Sequence, residues 1–311
     1  MICAKVSRRD IEGFLNKYKE KVDKKFEFIF EGNYALIPLR EVIEGAELVE
    51  CNPKERNVGK KLRDYIKGLR SYEIVGDIVL VSPKVDVDNE ELYKAIKELF
   101  PKARAVFIRK RVAGDLRVNE LEFVGGEFTT ETVYKENGIA LYVDVSKVYV
   151  NVTLANERAK TAEEVCKIKL NGPVLDAFTG YGPLALQIAK KGCYVVAGDL
   201  NAEGLSMAKR SIEMNRAYNI DLVQYDASYL PFRDKAFSIA VADNPTMANF
   251  FKDEVCRVSR TAIFYVLARS PEDASRLLGS SKWSRVNDYS KDLFVFKGFI
   301  RCDDVSSEGT S

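Results

Sequence analysis

The chain reads as an α/β protein whose second half is a parallel sheet covered by helices on both faces, preceded by two smaller α+β modules. Two observations carry this. From Gly172 onward, short apolar stretches alternate with helical ones, as the strands of a buried parallel sheet alternate with crossover helices. Before that point, strand-like stretches are separated by turn residues, with one amphipathic helical stretch in each module. A length of 311 residues suits two or three domains. The expected divisions are residues 1–60, 65–150 and 151–302, with a polar tail at 303–311.

In the first module, Ile11, Phe14 and Leu15 recur at a spacing of three and four between charges, which predicts a helix over 7–22 with Ser7 as its N-cap. Residues 26–30 and 34–39 flank Glu31-Gly32-Asn33 and predict two strands around a turn. In the second module, 72–82 reads as strand, turn, strand, and 89–99 as a helix with Leu92, Ile96 and Leu99 on one face. A strand over 105–108 is expected to run into a basic loop. Further strands are expected over 120–124, 129–135 and 139–150, with Glu136-Asn137-Gly138 at a hairpin turn. The third segment predicts strands at 174–177, 194–199, 220–225, 237–242 and 262–267, and a final pair at 286–289 and 293–300.

Composition excludes several kinds of chemistry. The chain has no histidine, which removes Ser-His-Asp and Cys-His catalysis and nearly all zinc catalysis, so no metal is expected. A general base must then be Asp, Glu, Lys, Tyr or Cys. The six cysteines are scattered without a Cys-x-x-Cys pair and are expected to be unpaired, buried thiols in a reducing compartment. No apolar run reaches membrane-spanning length, and the first residues lack the apolar core of a signal peptide, so a cytoplasmic protein is expected. A net charge of +2 argues against indiscriminate nucleic-acid binding by the whole molecule. Locally, Lys102, Arg104, Arg109, Lys110, Arg111 and Arg117 lie close together with only Asp115 opposing them, either a solvated surface or a phosphate-binding one.

The residues from Val174 to Pro183 place a strand, a glycine turn and an apolar helix in succession. Gly180 and Gly182 let the backbone turn sharply and approach a ligand, and the helix N-terminus offers free N–H groups to an anion. NAD enzymes share a Gly-x-Gly turn; here Ala185 holds their third glycine position, so the later strands must discriminate. Asp199 ends the second strand, where a carboxylate accepts from ribose hydroxyls. Asp226-Ala227 follows the third, placed for an adenine edge, and Asp243-Asn244-Pro245 follows the fourth. Each acid alone also suits a strand end or helix cap. Four at successive strand ends indicate a nucleotide-like cofactor, and the third-strand placement favours S-adenosylmethionine over NAD.

With these motifs, the sequence resembles the archaeal and eukaryotic tRNA methyltransferases that modify N1 of guanosine at position 37, relatives of the wyosine-synthesis enzymes. The resemblance runs over almost the whole chain. Its most specific segments are residues 114–122, 132–138, 144–149 and Asn156-Glu157-Arg158, followed by 176–183. It implies a class I, Rossmann-like methyltransferase domain, an N-terminal module that checks the tRNA elbow, and a middle domain contributing to the target pocket. It also implies a monomeric enzyme using S-adenosylmethionine on tRNA.

By this resemblance Arg117 matches the arginine at guanine O6 and Glu157 the general base. Asn244 and Pro245 fall on the substrate motif, and Arg158 is expected on the substrate side; the basic stretch from Lys102 to Arg111, with Arg109, Lys110 and Arg111, is expected from its charge to contact the tRNA backbone. The implied cofactor residues are Asp176, Phe178, Gly180, Gly182, Asp199, Leu200, Asp226, Ala227 and Asn244. The chemistry suits these types: a carboxylate takes the N1 proton as the bond forms, and a guanidinium stabilises the charge growing on O6. From residue type alone, Arg117 suits a phosphate contact and Glu157 an exposed helix start equally well.

The chain departs from the family at two places. Thr153 stands where the family usually has arginine, and Asn244-Pro245-Thr246 shifts the motif's proline by one position. Two alternatives accompany the leading reading: a wyosine-pathway enzyme acting at position 37, by methylation of a tricyclic precursor or aminocarboxypropyl transfer, and a non-catalytic tRNA-binding homologue.

Overall fold

Along each central strand the apolar side chains alternate between two faces, and each face meets its own core. The computed structural model describes residues 1–56, 65, 71–83, 86–113, 118–168, 172–279 and 282–302. The chain divides into two units, Met1–Asp64 and Tyr65–Ser311.

The first unit is a four-stranded antiparallel sheet of order β2-β3-β1-β4, built from β1 (Ile2–Ser7), β2 (Ile29–Glu31), β3 (Tyr34–Pro38) and β4 (Leu48–Glu50). Ala4 and Val6 of β1 and Ala35 and Ile37 of β3 bury one face against Val22, Leu39 and Ile43. The predicted helix is shorter than expected. Helix α1 covers only Ile11–Lys17, with Asp10 at the N-cap position, and Ser7 is the last residue of β1. The reason is pairing: Ser7 is in register with Tyr34, and Val22 bridges Leu39, so both ends of the expected helix are extended backbone.

The second unit opens with a sheet of order β5-β6-β7-β8, formed by β5 (Tyr72–Val75), β6 (Ile78–Val81), β7 (Ala105–Ala113) and β8 (Val118–Gly126). Helix α2 (Asn89–Leu99) crosses over between β6 and β7; Asp88 caps it by accepting from the Glu91 N–H at 2.9 Å. Arg109 and Lys110, expected in a basic loop, lie on β7, because its pairing with β8 continues to Ala113 against Val118. A hairpin of β9 (Glu131–Glu136) and β10 (Ile139–Asp144) follows, turning at Asn137-Gly138 as the sequence predicts. β10 stops short of residue 150 because Ser146 folds back and donates to Asp144 Oδ1 at 2.6 Å.

A 3-10 turn (Val152–Leu154) and helix α3 (Ala155–Lys167) lead into the alternating segment. Its strands are β11 (Val174–Asp176), β12 (Val195–Asp199), β13 (Ile220–Gln224), β14 (Phe237–Ala242), β15 (Ser259–Ala268), β16 (Trp283–Ser290) and β17 (Leu293–Arg301). They form one sheet of order β13-β12-β11-β14-β15-β17-β16, parallel through β15, with β17 and β16 antiparallel. Helices α4 (Pro183–Lys190), α5 (Ala202–Asn215), α6 (Ala248–Val258) and α7 (Pro271–Leu278) connect them. Val174, Val241 and Ile263 face a core shared with α3, α4 and α5 through Val165, Ile188 and Met207. Leu175, Ala240 and Phe264, each one residue along, face the other core with Val255 of α6 and Leu278 of α7. This is the doubly covered sheet that the sequence predicts.

The cysteines require a correction. They are paired as Cys3–Cys51, Cys166–Cys193 and Cys256–Cys302, where unpaired thiols were expected. The partners are 48, 27 and 46 residues apart in sequence, so only the fold brings them together; Cys3, for example, lies on β1 beside β4, just beyond which Cys51 follows. Among the described residues no helix is long and apolar enough to cross a membrane.

Gly298 on β17 sits opposite Trp283 on β16, and a Cβ there would lie 2.4 Å from the indole ring, which is only 8% exposed. Gly298→Ala must therefore displace a packed ring. We expect a loss of about 1–3 kcal/mol, read as a lower urea midpoint with unchanged m-value; an unchanged midpoint would show that the ring moves without cost.

Candidate active site

Four acidic residues lie at or just beyond the C-terminal ends of neighbouring strands: Asp176 on β11, Asp199 on β12, Asp226 after β13 and Asp243 after β14. The order of strands reverses at β11, where β12 lies on one side and β14 on the other. Ligands of open α/β sheets bind at the carboxyl ends of the strands at such a switch point.

The loop from Asp176 to Pro183 is shaped around its acids. Gly180 (φ +54°) and Gly182 (φ +87°) both adopt left-handed backbone, and a Cβ at Gly182 would lie 3.0 Å from Ala208. The Gly180 N–H donates to Asp199 Oδ2 at 2.7 Å, and the Asn201 N–H donates to Oδ1 at 2.9 Å. Burial pushes the Asp199 carboxyl above its ordinary range, against these backbone donors.

Asp176 is 1% exposed. Its Oδ2 accepts from Thr179 Oγ1 at 2.9 Å, whereas Oδ1 is buried without a hydrogen-bond partner. Burial first, and then the charges of Asp243 and Asp199, push its carboxyl up to about 7, although the Thr179 hydroxyl and the Ala185 N–H pull the other way. An orphaned, destabilised carboxylate oxygen at this edge fits a ligand that brings an amine. Asp226 is exposed and held in a turn by Ser228, whose N–H and hydroxyl donate to Oδ1 at 2.8 and 2.7 Å and keep its carboxyl below the ordinary range. Ala227 is buried beside it, and Leu200 stays half exposed. Phe178 stacks on Phe251 of α6, with centroids 5.0 Å apart.

Glu157 lies in the first turn of α3. Its Oε1 receives Lys297 Nζ at 2.7 Å, the Tyr265 hydroxyl at 3.1 Å and the Thr161 hydroxyl at 3.3 Å. The sheet register locates this cluster. Asp176 is level with Val241 and that residue with Ile263, so Tyr265 stands two residues further toward the carboxyl edge, on the same face as Asp176. Asn244 accepts from Thr246 Oγ1 at 3.0 Å, and the Pro245 carbonyl accepts the Leu267 N–H at 3.0 Å, tying this turn to the end of β15.

The remaining expected residues are distributed differently. Arg158 is buried, and its guanidinium grips Glu136 of β9 with Nε–Oε1 at 2.8 Å and Nη2–Oε2 at 2.5 Å. Burial opposes its charge, but the Glu136 carboxylate more than offsets that and holds the guanidinium above its ordinary pKa. Arg109 pairs with Glu73 at 2.8 Å, and the same carboxylate accepts the Val152 N–H at 2.9 Å, anchoring the turn before α3. Lys110 pairs with Glu122 at 2.5 Å and stays about half exposed. Arg111 lies on β7 opposite Glu120. Arg117 lies outside the described residues. Thr153, at the first departure from the family pattern, is exposed and donates to Asn151 Oδ1. A cavity of about 450 Å³ beside the start of α3 is lined by Ile74, Asp77, Tyr134, Glu136, Val152 and Ala155, and none of the strand-end acids borders it.

Sequence reading missed Thr161, Tyr265 and Lys297. The signal for Lys297 was present: a single cation within Leu293-Phe-Val-Phe-Lys-Gly-Phe-Ile300 must be paired if the strand is buried.

Comparison with known proteins follows the same lines. The family model described as the TRM5/TYW2 methyltransferase domain matches residues 132–282. The chain is 34% identical over 245 residues to the tRNA (guanine(37)-N(1))-methyltransferase Trm5b of Methanocaldococcus jannaschii, a match covering 69% of this chain and 71% of the relative. It is 31% identical over 214 residues to the Trm5b of Pyrococcus abyssi, covering 64% and 63%. Among solved structures, aTrm5 in complex with tRNALeu superposes with a TM-score of 0.69 at 25% identity, covering 97% of this chain and 99% of that one.

Two outcomes are expected. Arg158→Ala strands a buried carboxylate and should cost about 3–5 kcal/mol in urea unfolding, whereas Arg158→Met with Glu136→Leu should cost clearly less; equal losses would refute the pairing argument. For Asp176, the folded chain without ligand keeps its proton up to about pH 7, while the unfolded chain loses it near 3.8. Stability should therefore fall as pH rises through that window, and Asp176→Asn should abolish that part of the slope. Identical pH–stability curves for the two proteins would contradict this.

Proposed function

Because the chain belongs to the TRM5/TYW2 methyltransferase family, we propose that it transfers a methyl group from S-adenosylmethionine to N1 of guanosine at position 37 of tRNA. The observation that carries this reading is the shared edge: Glu157, anchored by Tyr265 at the carboxyl end of β15, lies on the face of the sheet that bears the unpartnered Asp176 Oδ1. A proton acceptor and an amine-binding acid thus share one rim of the sheet.

In this reading Asp176 holds the amino group of the cofactor, Asp199 its ribose, and Leu200, Asp226 and Ala227 its adenine. Gly180 and Gly182 keep the loop close, and Phe178 and Asn244 flank the reacting end. When bound, the sulfonium supplies a methyl group that is already electrophilic. The chain's own task is to raise the nucleophilicity of guanine N1. Glu157 accepts the N1 proton as the new bond forms, and Arg117 donates to O6, where negative charge grows. Asn244 and Pro245 border the target base. The orientation of N1 toward the methyl group contributes much of the remaining rate.

The ion pairs divide the basic residues. Arg158 and Arg109 fix α3 and the turn before it, while Lys110, still half exposed, is available to a tRNA phosphate; Arg111 is assigned to the same contact from the sequence alone. The unit Met1–Asp64 is assigned to recognition of the tRNA elbow, and the portion up to residue 150 to the target pocket. The protein acts as a cytoplasmic monomer.

Methyl-labelled S-adenosylmethionine and unmodified tRNA bearing guanosine at position 37 test the reading, with the product nucleoside identified by mass. N1-methylguanosine is expected, with Glu157→Gln and Arg117→Ala each lowering the single-turnover rate by about 10²-fold or more. No transfer despite measured binding of both substrates would overturn it. A tricyclic or aminocarboxypropyl product would instead select the wyosine branch.

A further inference from the structure

We propose that Lys297 is a positioning residue for the reaction, clamping one oxygen of Glu157 so that the other is presented to the target proton. The inference rests on the reading of Glu157 as the base and adds a residue to that reading.

Lys297 is the one charged side chain in the inward run of β17 and is 7% exposed. Its ammonium has three hydrogens and three acceptors: Glu157 Oε1 at 2.7 Å, Glu164 Oε2 at 2.8 Å and Thr161 Oγ1 at 3.2 Å. Nothing in the stability of β17 calls for a cation there, since an apolar side chain would fill the strand at lower cost. Two carboxylates two turns apart on one face of α3, Glu157 and Glu164, are what it neutralises.

Tyr265, in register with Lys297 on the neighbouring strand, adds its hydroxyl to the same Glu157 oxygen and lies 2.6 Å from Thr161 Oγ1. Lys297 is ion-paired to Oε1, and the hydroxyls of Tyr265 and Thr161, which share a hydrogen bond at 2.6 Å, have one proton left to donate to it, while among the described residues Oε2 accepts none. A carboxylate held in this way has one rotamer and one free lone-pair edge. The groups around it are Lys297 from β17, Tyr265 from β15, Thr161 and Glu164 from α3 itself, and the charge of Asp243 from the end of β14, which reaches Tyr265. Lys297 is the cation of this set. Without it, Glu157 and Glu164 lose the cation they share.

Single-turnover methyl transfer measured against pH, with saturating tRNA and cofactor, tests the clamp on the full-length protein. In Lys297→Met the rate near neutrality is expected to fall about 10²-fold, with the acid limb displaced upward by about one pH unit or more, so that activity recovers as pH rises. Lys297→Arg is expected to restore the wild-type limb, and affinities for tRNA and cofactor are expected to stay within about twofold. A loss that is equal at every pH, or a wild-type profile, overturns the proposal. Tyr265→Phe removes one of the two hydroxyls that face the same oxygen; a smaller upward displacement is expected, and an unmoved limb counts against the clamp even if Lys297→Met does not fold. Glu157→Gln separates the two levels. If that variant keeps the wild-type rate, the base itself is misassigned; if it is inactive while the Lys297 and Tyr265 profiles are unmoved, only the clamp fails.

Discussion

The pairing of Arg158 with Glu136 is the constraint on which the geometry of the site depends. Both side chains are withdrawn from water, so neither tolerates loss of the other. The pair fastens the end of β9 to the first turn of α3, and Arg158 Nη2 also binds the Asn151 carbonyl at 3.1 Å. Beside it the hydroxyls of Tyr134 and Tyr181 meet at 2.8 Å, which links the same strand to the glycine loop. Burial pushes the Tyr181 hydroxyl up to about 12, so both phenols stay neutral and hydrogen-bonded. One buried polar cluster thus sets the helix that carries Glu157 and the loop that ends at Gly182. A network of this kind is costly when incomplete and rigid when complete.

Around that cluster, the two edges of charge are handled in opposite ways. At the glycine loop the acids are buried without a cation: Asp176 keeps an unpartnered oxygen and Asp199 only backbone donors. That leaves an acceptor at this edge unmatched by any donor of the described chain. At α3 the acid is half-buried with its cation supplied by the chain, through Lys297. The first arrangement leaves an acceptor unmatched, and the second holds one carboxylate oxygen in place. The sheet relates the two, because β11, β14 and β15 are in parallel register and the period of two brings Asp176 and Tyr265 onto one face.

The basic residues of β7 are another case of charge already committed. As a stretch of sequence they look like a phosphate-binding patch. In the fold, Glu73 of β5, two strands away, takes Arg109, and Glu122 of the neighbouring β8 takes Lys110. Counting cations along a chain overstates the surface available to a nucleic acid whenever a strand pairs with acidic neighbours.

Much of this protein was legible in its sequence. Alternating apolar strands and helices after Gly172 determined the doubly covered parallel sheet, because a strand buried on both faces has to be apolar throughout. Gly180, Gly182 and the strand-end acids Asp176, Asp199, Asp226 and Asp243 could be placed at one edge of the sheet from the sequence, because strand ends and glycine turns are local features. Other features were not legible. Ser7 looked like a helix cap until pairing with Tyr34 drew it into β1; Cys166 and Cys193 looked unrelated until α3 packed on α4; and Arg158 looked available until Glu136 enclosed it. The partners of Glu157 come from positions 4, 108 and 140 residues away along the chain. Local pattern determines which residues form strands, helices and turns. Which charge meets which is decided only when β9, β15 and β17 are brought against one helix, since pairing depends on distance in space and sequence separation carries no record of it.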